Sequence, residues 1–386
     1  MRADIFCRVI DNFGDIGVAW RLARQLATEH NWSIRLWVDD VQSFAKLEPN
    51  VLSQQSIKGV DIVHWTHATN LTPADVAIAM FSCDLPDAYI EQIKLKDKPV
   101  LWLNLEYLSA EDWVETCHAL PSLRSDGLSS YFFFPGFTTK TGGLIRESTL
   151  LSSRDTWINN HESQHAFLKS LGISPEALSI WHKSHIPQAN SSQNTIKLIS
   201  LFCYPNAPIE QLIAQLEKAD TASILLIPEG IAPQLYAGKQ GKVYIERIPF
   251  VPQTEYDKIL WTCDLNFVRG EDSIVRAIWS SKPFIWQIYS QSENTHLLKL
   301  DAWLARSTLP ESVGQLMRSW NPPSVDVSPD SSMATKTNFT QSFSQNITAA
   351  NFEIWKKSAQ TFTQKLSLQP DLSTSIDQFV RDKLPS

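Results

Sequence analysis

Short apolar runs alternate along the chain with segments in which apolar residues recur every three or four positions. Residues 5–10 (IFCRVI) predict a strand, and 18–29 an amphipathic helix with Trp20, Leu22, Ala23 and Leu26 on one face. Further strands are expected at 33–38, 61–65, 76–80, 100–105 and 131–134, with helices at 87–94 and 110–118 between them. A polar stretch at 184–195 (SHIPQANSSQNT) interrupts the pattern, which then restarts. Strands follow at 196–203, 223–227, 243–248, 265–268 and 283–288, and helices at 208–219, 254–262, 273–281 and 295–306. Residues 321–332 (NPPSVDVSPDSS) read as loop, and 348–366 and 373–383 as closing helices. Alternation of this kind argues for parallel sheets covered by helices, in two consecutive α/β domains. The expected boundaries are 1–184, 195–345, and a helical tail, 346–386, packing back toward the first domain.

Composition narrows the class. With 43% hydrophobic and 19% charged residues, and only 13 glycines in 386, the chain can bury a core and is not a disordered or linker-like sequence. The formal charge of −7 has no basic footprint, which argues against direct nucleic-acid binding and leaves room for an acidic site that takes a cation. Cys7, Cys83, Cys117, Cys203 and Cys263 are widely spaced without a C-x-x-C pair, so free thiols in a reducing compartment are expected. The first residues are too charged for a signal-peptide core, and no apolar run approaches the length of about 20 residues that spans a bilayer. A cytoplasmic protein without membrane contact is the expectation. The histidines lack metal-ligand spacing, so no metal is expected.

In open parallel sheets ligands bind beyond the carboxyl ends of the strands, and two strand-to-helix turns carry chemistry there. The first is Asp11-Asn12-Phe13-Gly14-Asp15-Ile16-Gly17, which lacks the glycine pattern of a dinucleotide fingerprint. It offers two carboxylates four residues apart. Two readings stand: a functional acid pair, or Asp15 capping the helix while Asp11 satisfies loop amides. The second turn is Arg269-Gly270-Glu271-Asp272-Ser273. A helix start there favours an anion, Arg269 can pair with a phosphate, and Glu271 can accept from sugar hydroxyls. A capped helix with a surface ion pair is the structural alternative. One such turn in each domain suggests a nucleotide-sugar held between them. Phe250 and Gln253 (IPFVPQ) are candidates for a base pocket, and Phe202 and Tyr204 for its lining, although large aromatics also serve as core. Glu106 and Tyr107, the loop FTTKTGG at 137–143, and QSEN at 291–294 are weaker candidates.

Together, FCRVIDNFGDIGVAWRLARQL, LWVDD, FSCDLP, LWLNLEYLSAEDW, FPGFTTKTGGLIRE, IPFVPQ, RGEDSIVRA, KPFIWQIY and SENTHLLKL, between residues 5 and 300, resemble the EarP family. These are bacterial protein-arginine rhamnosyltransferases that modify translation elongation factor P. The resemblance implies a GT-B fold, two Rossmann-like domains facing across a cleft. It implies dTDP-β-L-rhamnose as donor and one arginine at a loop tip of the factor's N-terminal domain as acceptor. It further implies inversion at the anomeric carbon, no metal, and a modified factor that rescues ribosomes stalled at consecutive prolines. On this resemblance Asp15 is the general base and Asp11 its essential partner, with Asn12, Phe13 and Gly14 in the same loop. Phe250 and Gln253 fall on the thymidine pocket, Arg269, Glu271, Asp272 and Ser273 on the ribose and diphosphate segment, and Tyr204 on a donor contact. Rival readings are a GT-B transferase or nucleotide-sugar epimerase acting on small molecules, and a non-catalytic nucleotide-binding module.

Overall fold

The computed structural model describes residues 1–10, 13–65, 72–185, 197–323 and 329–384. It divides into two compact units, Met1–Ser148 with the chain from Leu366 onward, and Thr149–Lys365. Each is built on its own sheet.

The first unit holds β1 (Arg2–Cys7), β2 (Ser33–Val38), β3 (Ser56–Ile57), β4 (Val60–His64), β5 (Val76–Met80), β6 (Leu101–Leu105), β7 (Pro121–Leu123) and β8 (Ser129–Phe133). Their order is β3-β4-β2-β1-β5-β6-β8-β7, parallel except for the two outer strands. Central runs such as VAIAM in β5 are buried at every position, as expected of a parallel strand covered on both faces. Asp4 is the exception within β1. Its carboxylate is fully buried and accepts two bonds from Arg35 (2.6 and 2.7 Å), one from the Trp37 indole (3.0 Å), one from the Ala74 amide (2.8 Å) and one from the Tyr89 hydroxyl (2.5 Å). Burial, and then the Asp4 charge, push the Tyr89 phenol far above its ordinary pKa, so it remains a donor.

The second unit holds β9 (Lys197–Leu201), β10 (Ser223–Pro228), β11 (Gly238–Gln240), β12 (Val243–Ile248), β13 (Leu265–Arg269) and β14 (Phe284–Gln287). The order is β11-β12-β10-β9-β13-β14, with only the short β11 antiparallel. Helices Gln253–Thr262 and Gly270–Ser280 follow β12 and β13 and are joined by a buried ion pair. Arg276 Nε and Nη2 donate to the two carboxylate oxygens of Asp257 at 2.8 and 2.7 Å.

The domain boundary differs from the sequence expectation. Helices Leu150–Ile158, His161–Ser170 and Pro175–His185, which periodicity did not single out, belong to the second unit and not to a first domain ending at 184. Their apolar faces explain this: Phe167, Leu168 and Trp181 enter one core with Leu198, Ile224 and Ile248. Arg154 adds a polar tie, donating to the Trp279 carbonyl (2.8 Å) at the end of the helix Gly270–Ser280. Most of the expected linker, residues 186–196, lies outside the described residues. Of the stretch 321–332 read as loop, 324–328 lies outside them too, and a helix Pro329–Asn346 takes its end. The helix Glu311–Trp320 was likewise not expected.

From Leu366 the chain rejoins the first unit. Arg146 donates to the carbonyls of Ser367 (2.9 Å) and Gln369 (3.1 Å), and the Leu372 amide to Leu144 O (3.0 Å). Asp371 caps the last helix, Leu372–Lys383, and also accepts from Gln25 at 3.1 Å. Gly143 has φ +74°, and a Cβ there would run into the Pro370 carbonyl. The paired glycines of FTTKTGG thus serve this closure. Among the described residues no helix is long and apolar enough to cross a membrane, and all five cysteines are free.

Replacing Arg276 with Met removes the ion pair of the buried Asp257 and should lower unfolding free energy by about 3–5 kcal/mol. Adding Asp257→Leu should recover much of that loss in urea denaturation. A double variant no more stable than the single one would show that the charge itself is not the cost.

Candidate active site

In the first unit, β1 leads into the helix Gly14–Glu29, which begins four residues earlier than periodicity indicated. Gly14 and Asp15 therefore lie in its first turn. Phe13 is the N-cap residue and supplies no side-chain bond, while Lys46 Nζ lies 5.5 Å from its ring centre. Asp15 is 4% exposed, and its Oδ2 accepts the Ile10 amide at 2.8 Å, turning the carboxylate back toward the end of β1. Its charge also helps burial raise the Cys7 thiol well above its usual pKa. Asp11 and Asn12, the other candidates in this loop, lie outside the described residues.

In the second unit the candidates cluster beyond the carboxyl ends of β9, β12 and β13. Arg269 ends β13, and its guanidinium carbon stands 4.4 Å from the Phe202 ring centre and 4.6 Å from that of Tyr204. Nη1 donates to the Cys203 carbonyl at 3.0 Å. Two aromatic faces and a carbonyl thus hold a planar cation in a fixed orientation, which suits bidentate recognition of an oxyanion. Arg269 also serves as N-cap of the helix Gly270–Ser280 without a side-chain capping bond. The helix begins three residues before the expected Ser273, so Glu271, Asp272 and Ser273 all sit in its first turn. Glu271 is half-buried, whereas Asp272 and Ser273 are buried.

Gln253 opens the neighbouring helix and is 5% exposed, with its Nε2 3.5 Å from Asp272 Oδ2. Phe250, half-buried, meets Phe202 edge to face at 6.4 Å between ring centres. Tyr204, Phe250, Gln253, Arg269, Glu271, Asp272 and Ser273 are therefore brought together in one unit. Phe13, Gly14 and Asp15 belong to the other.

Two residues that support this cluster, Gln287 and Trp286, have no site role in the sequence reading. Gln287, 1% exposed at the end of β14, accepts the Tyr204 amide at 2.7 Å and donates to Asn206 at 2.8 Å. Trp286 Nε1 donates to the Gly270 carbonyl at 2.9 Å. The signal for Gln287 was a lone amide closing an otherwise apolar strand, FIWQI. Among the described residues no group of three or more His, Cys, Asp or Glu side chains is arranged to hold a metal ion.

The family model described as Elongation-Factor P (EF-P) rhamnosyltransferase EarP matches residues 3–381. A protein-arginine rhamnosyltransferase of Pseudomonas putida is 41% identical, with 99% of each chain covered. A solved structure described as the structural basis for EarP-mediated arginine glycosylation of translation elongation factor EF-P is 30% identical, with TM-score 0.63 and 99% of each chain covered. A spinosyn rhamnosyltransferase complexed with thymidine diphosphate shares the fold at TM-score 0.51 and 10% identity, over 98% of this chain and 99% of that one. The fold is accordingly GT-B, with two Rossmann-like units.

Gly270 has φ +65°, which an L side chain adopts at a cost of about 1–2 kcal/mol. Gly270→Ala should therefore lower stability by about that amount. It should also weaken anion binding at the turn, because Gly270 joins Arg269 to the helix start. Thermal denaturation with and without thymidine diphosphate measures both; a variant stabilised by the nucleotide as much as the parent would contradict the second.

Proposed function

The chain belongs to the EarP family, and from that premise we propose that it transfers L-rhamnose from dTDP-β-L-rhamnose to an arginine side chain of translation elongation factor P. The observation that carries this reading is Arg269, clamped between Phe202 and Tyr204 at an uncapped helix start. That is a preorganised receptor for a nucleoside diphosphate. Phe250 supplies an aromatic face for thymine, Gln253 an amide for its edge, and Glu271 an acceptor for ribose hydroxyls.

The chemistry then needs a nucleophile. A guanidinium has a pKa above about 12 and no free lone pair, so a carboxylate must take its proton as the bond forms. Asp15, buried and oriented by the Ile10 amide, fills that role, with Asp11 as its partner. A guanidinium nitrogen attacks the anomeric carbon and the C–O bond to the diphosphate breaks. The electron pair leaves with thymidine diphosphate and the proton passes to Asp15. Attack opposite the leaving group inverts the centre. Arg269 and the helix dipole of Gly270–Ser280 stabilise the departing charge, so the transfer requires no metal. Five free thiols accord with a cytoplasmic enzyme meeting a translation factor.

Incubation with dTDP-rhamnose should raise the intact mass of the factor by one deoxyhexose on one arginine, equally with and without EDTA. An unchanged mass would sink the reading, and a loss confined to the EDTA arm would sink metal independence. Asp15→Asn should lower kcat by about 100-fold or more while thymidine diphosphate affinity stays within about twofold, as expected for a general base. Equal losses in both would make Asp15 a structural residue.

A further inference from the structure

The carboxyl end of β5 carries a backbone conformation that the sequence does not announce. Phe81 and Ser82 have φ of +55° and +57°, two successive non-glycine residues in the left-handed region. For a side chain as bulky as Phe this is an outlier, and such outliers persist where surrounding contacts enforce them, often at functional sites. The enforcing contacts reach both neighbouring strands. The Phe81 amide donates to Leu105 O at 2.7 Å, at the end of β6, and the Cys83 thiol to Phe6 O at 3.4 Å, at the end of β1. The turn is thus fixed between the strand that leads to Asp15 and the strand that leads to Glu106.

This conformation sets two side chains. Ser82 Oγ donates to Glu106 Oε2 at 2.7 Å, aiming a half-buried carboxylate. The Phe81 ring stacks on Tyr107 at 4.7 Å between centres and 27° between planes, holding a second, half-buried aromatic beside that carboxylate. A carboxylate with an adjacent aromatic is the pairing that recognises a planar guanidinium, by charge-assisted hydrogen bonds and by stacking. A simple helix cap or surface ion pair would not require strained backbone at the position that orients the acid.

We propose that Glu106, oriented by Ser82 and flanked by Tyr107, binds the guanidinium of the acceptor arginine. The inference rests on the rhamnosyltransferase reading and extends it to acceptor selection. Glu106 holds the cation while Asp15 takes the proton, so the two acids have separable effects. Asp15 acts on turnover and Glu106 on acceptor affinity.

The test is steady-state kinetics of the full chain with elongation factor P as the varied substrate, beside calorimetric binding of thymidine diphosphate. Glu106→Gln should raise the acceptor KM about tenfold or more, the range for loss of a hydrogen bond to a charged group, with thymidine diphosphate affinity within about twofold. Glu106→Asp should fall between wild type and Glu106→Gln. Ser82→Ala, at an exposed position, should raise KM by a smaller factor and guards against a folding defect in the Glu106 variants. An acceptor KM unchanged in Glu106→Gln, or a parallel loss of nucleotide affinity, overturns the proposal. Methylguanidinium supplies a readout independent of turnover: it should bind the wild-type protein and bind Glu106→Gln at least about tenfold more weakly. Equal binding overturns the inference. An inactive wild-type enzyme that still binds methylguanidinium through Glu106 would instead fault the transfer reaction alone.

Discussion

The buried pair between Arg276 and Asp257 fixes the geometry on which the proposed nucleotide-binding cluster depends. Asp257 lies four residues after Gln253 on one helix, and Arg276 four residues after Asp272 on the next. Residues so spaced share a helix face, so the ion pair sits one turn below the approach of Gln253 to Asp272. Apolar contacts between helices tolerate sliding, whereas two short bonds between a planar guanidinium and a carboxylate set both distance and rotation. A buried ion pair is weak as a source of net stability because desolvation offsets its attraction. Its worth here lies in aligning two helix starts that carry the proposed binding residues.

The first unit uses the same device in another place. Asp4 gathers donors from β2, from the segment before β5 and from the helix Asp87–Lys94, and so locks the sheet whose strand ends carry Asp15, Ser82 and Glu106. In both units a buried charge lies inside the scaffold, with the candidate site residues at strand ends nearby. Preorganised polar groups of this kind need little rearrangement when charge develops in a transition state.

Much of this was legible in the sequence, and the limits have physical causes. Inner strands such as β5 and β10 are continuous apolar runs between polar turns, and they fall where periodicity put them. The helices between Leu150 and His185 were missed because their apolar residues are sparse; they face a core completed by residues far along the chain, Ile224 and Ile248 among them. The polar stretch at 184–195 looked like a boundary because solvated composition resembles a linker, yet the unit boundary lies at Ser148, where local composition changes little. In the site, Arg269 and its turn stood out by residue type. Gln287 and Ser82 stood out less, since a lone amide closing an apolar strand is a weak signal and the left-handed backbone that aims the Ser82 hydroxyl leaves no mark in composition.

The glycines sharpen the same point. Gly142 and Gly143 lie in a family motif and invite a ligand-loop reading, but their missing side chains make room for Phe133, Leu372 and the Pro370 carbonyl. Gly270 lies in another stretch of the resemblance, and its positive φ lets β13 turn directly into a helix. The two cases differ in what lies behind the glycine. Where a Cβ would strike the protein's own chain, the constraint is closure of the fold. Where the conformation ends a strand and starts a helix beside a clamped arginine, the proposed constraint is access for an anion. A shared motif therefore marks a demand on the backbone, and only the neighbours of each residue tell whether folding or catalysis makes that demand.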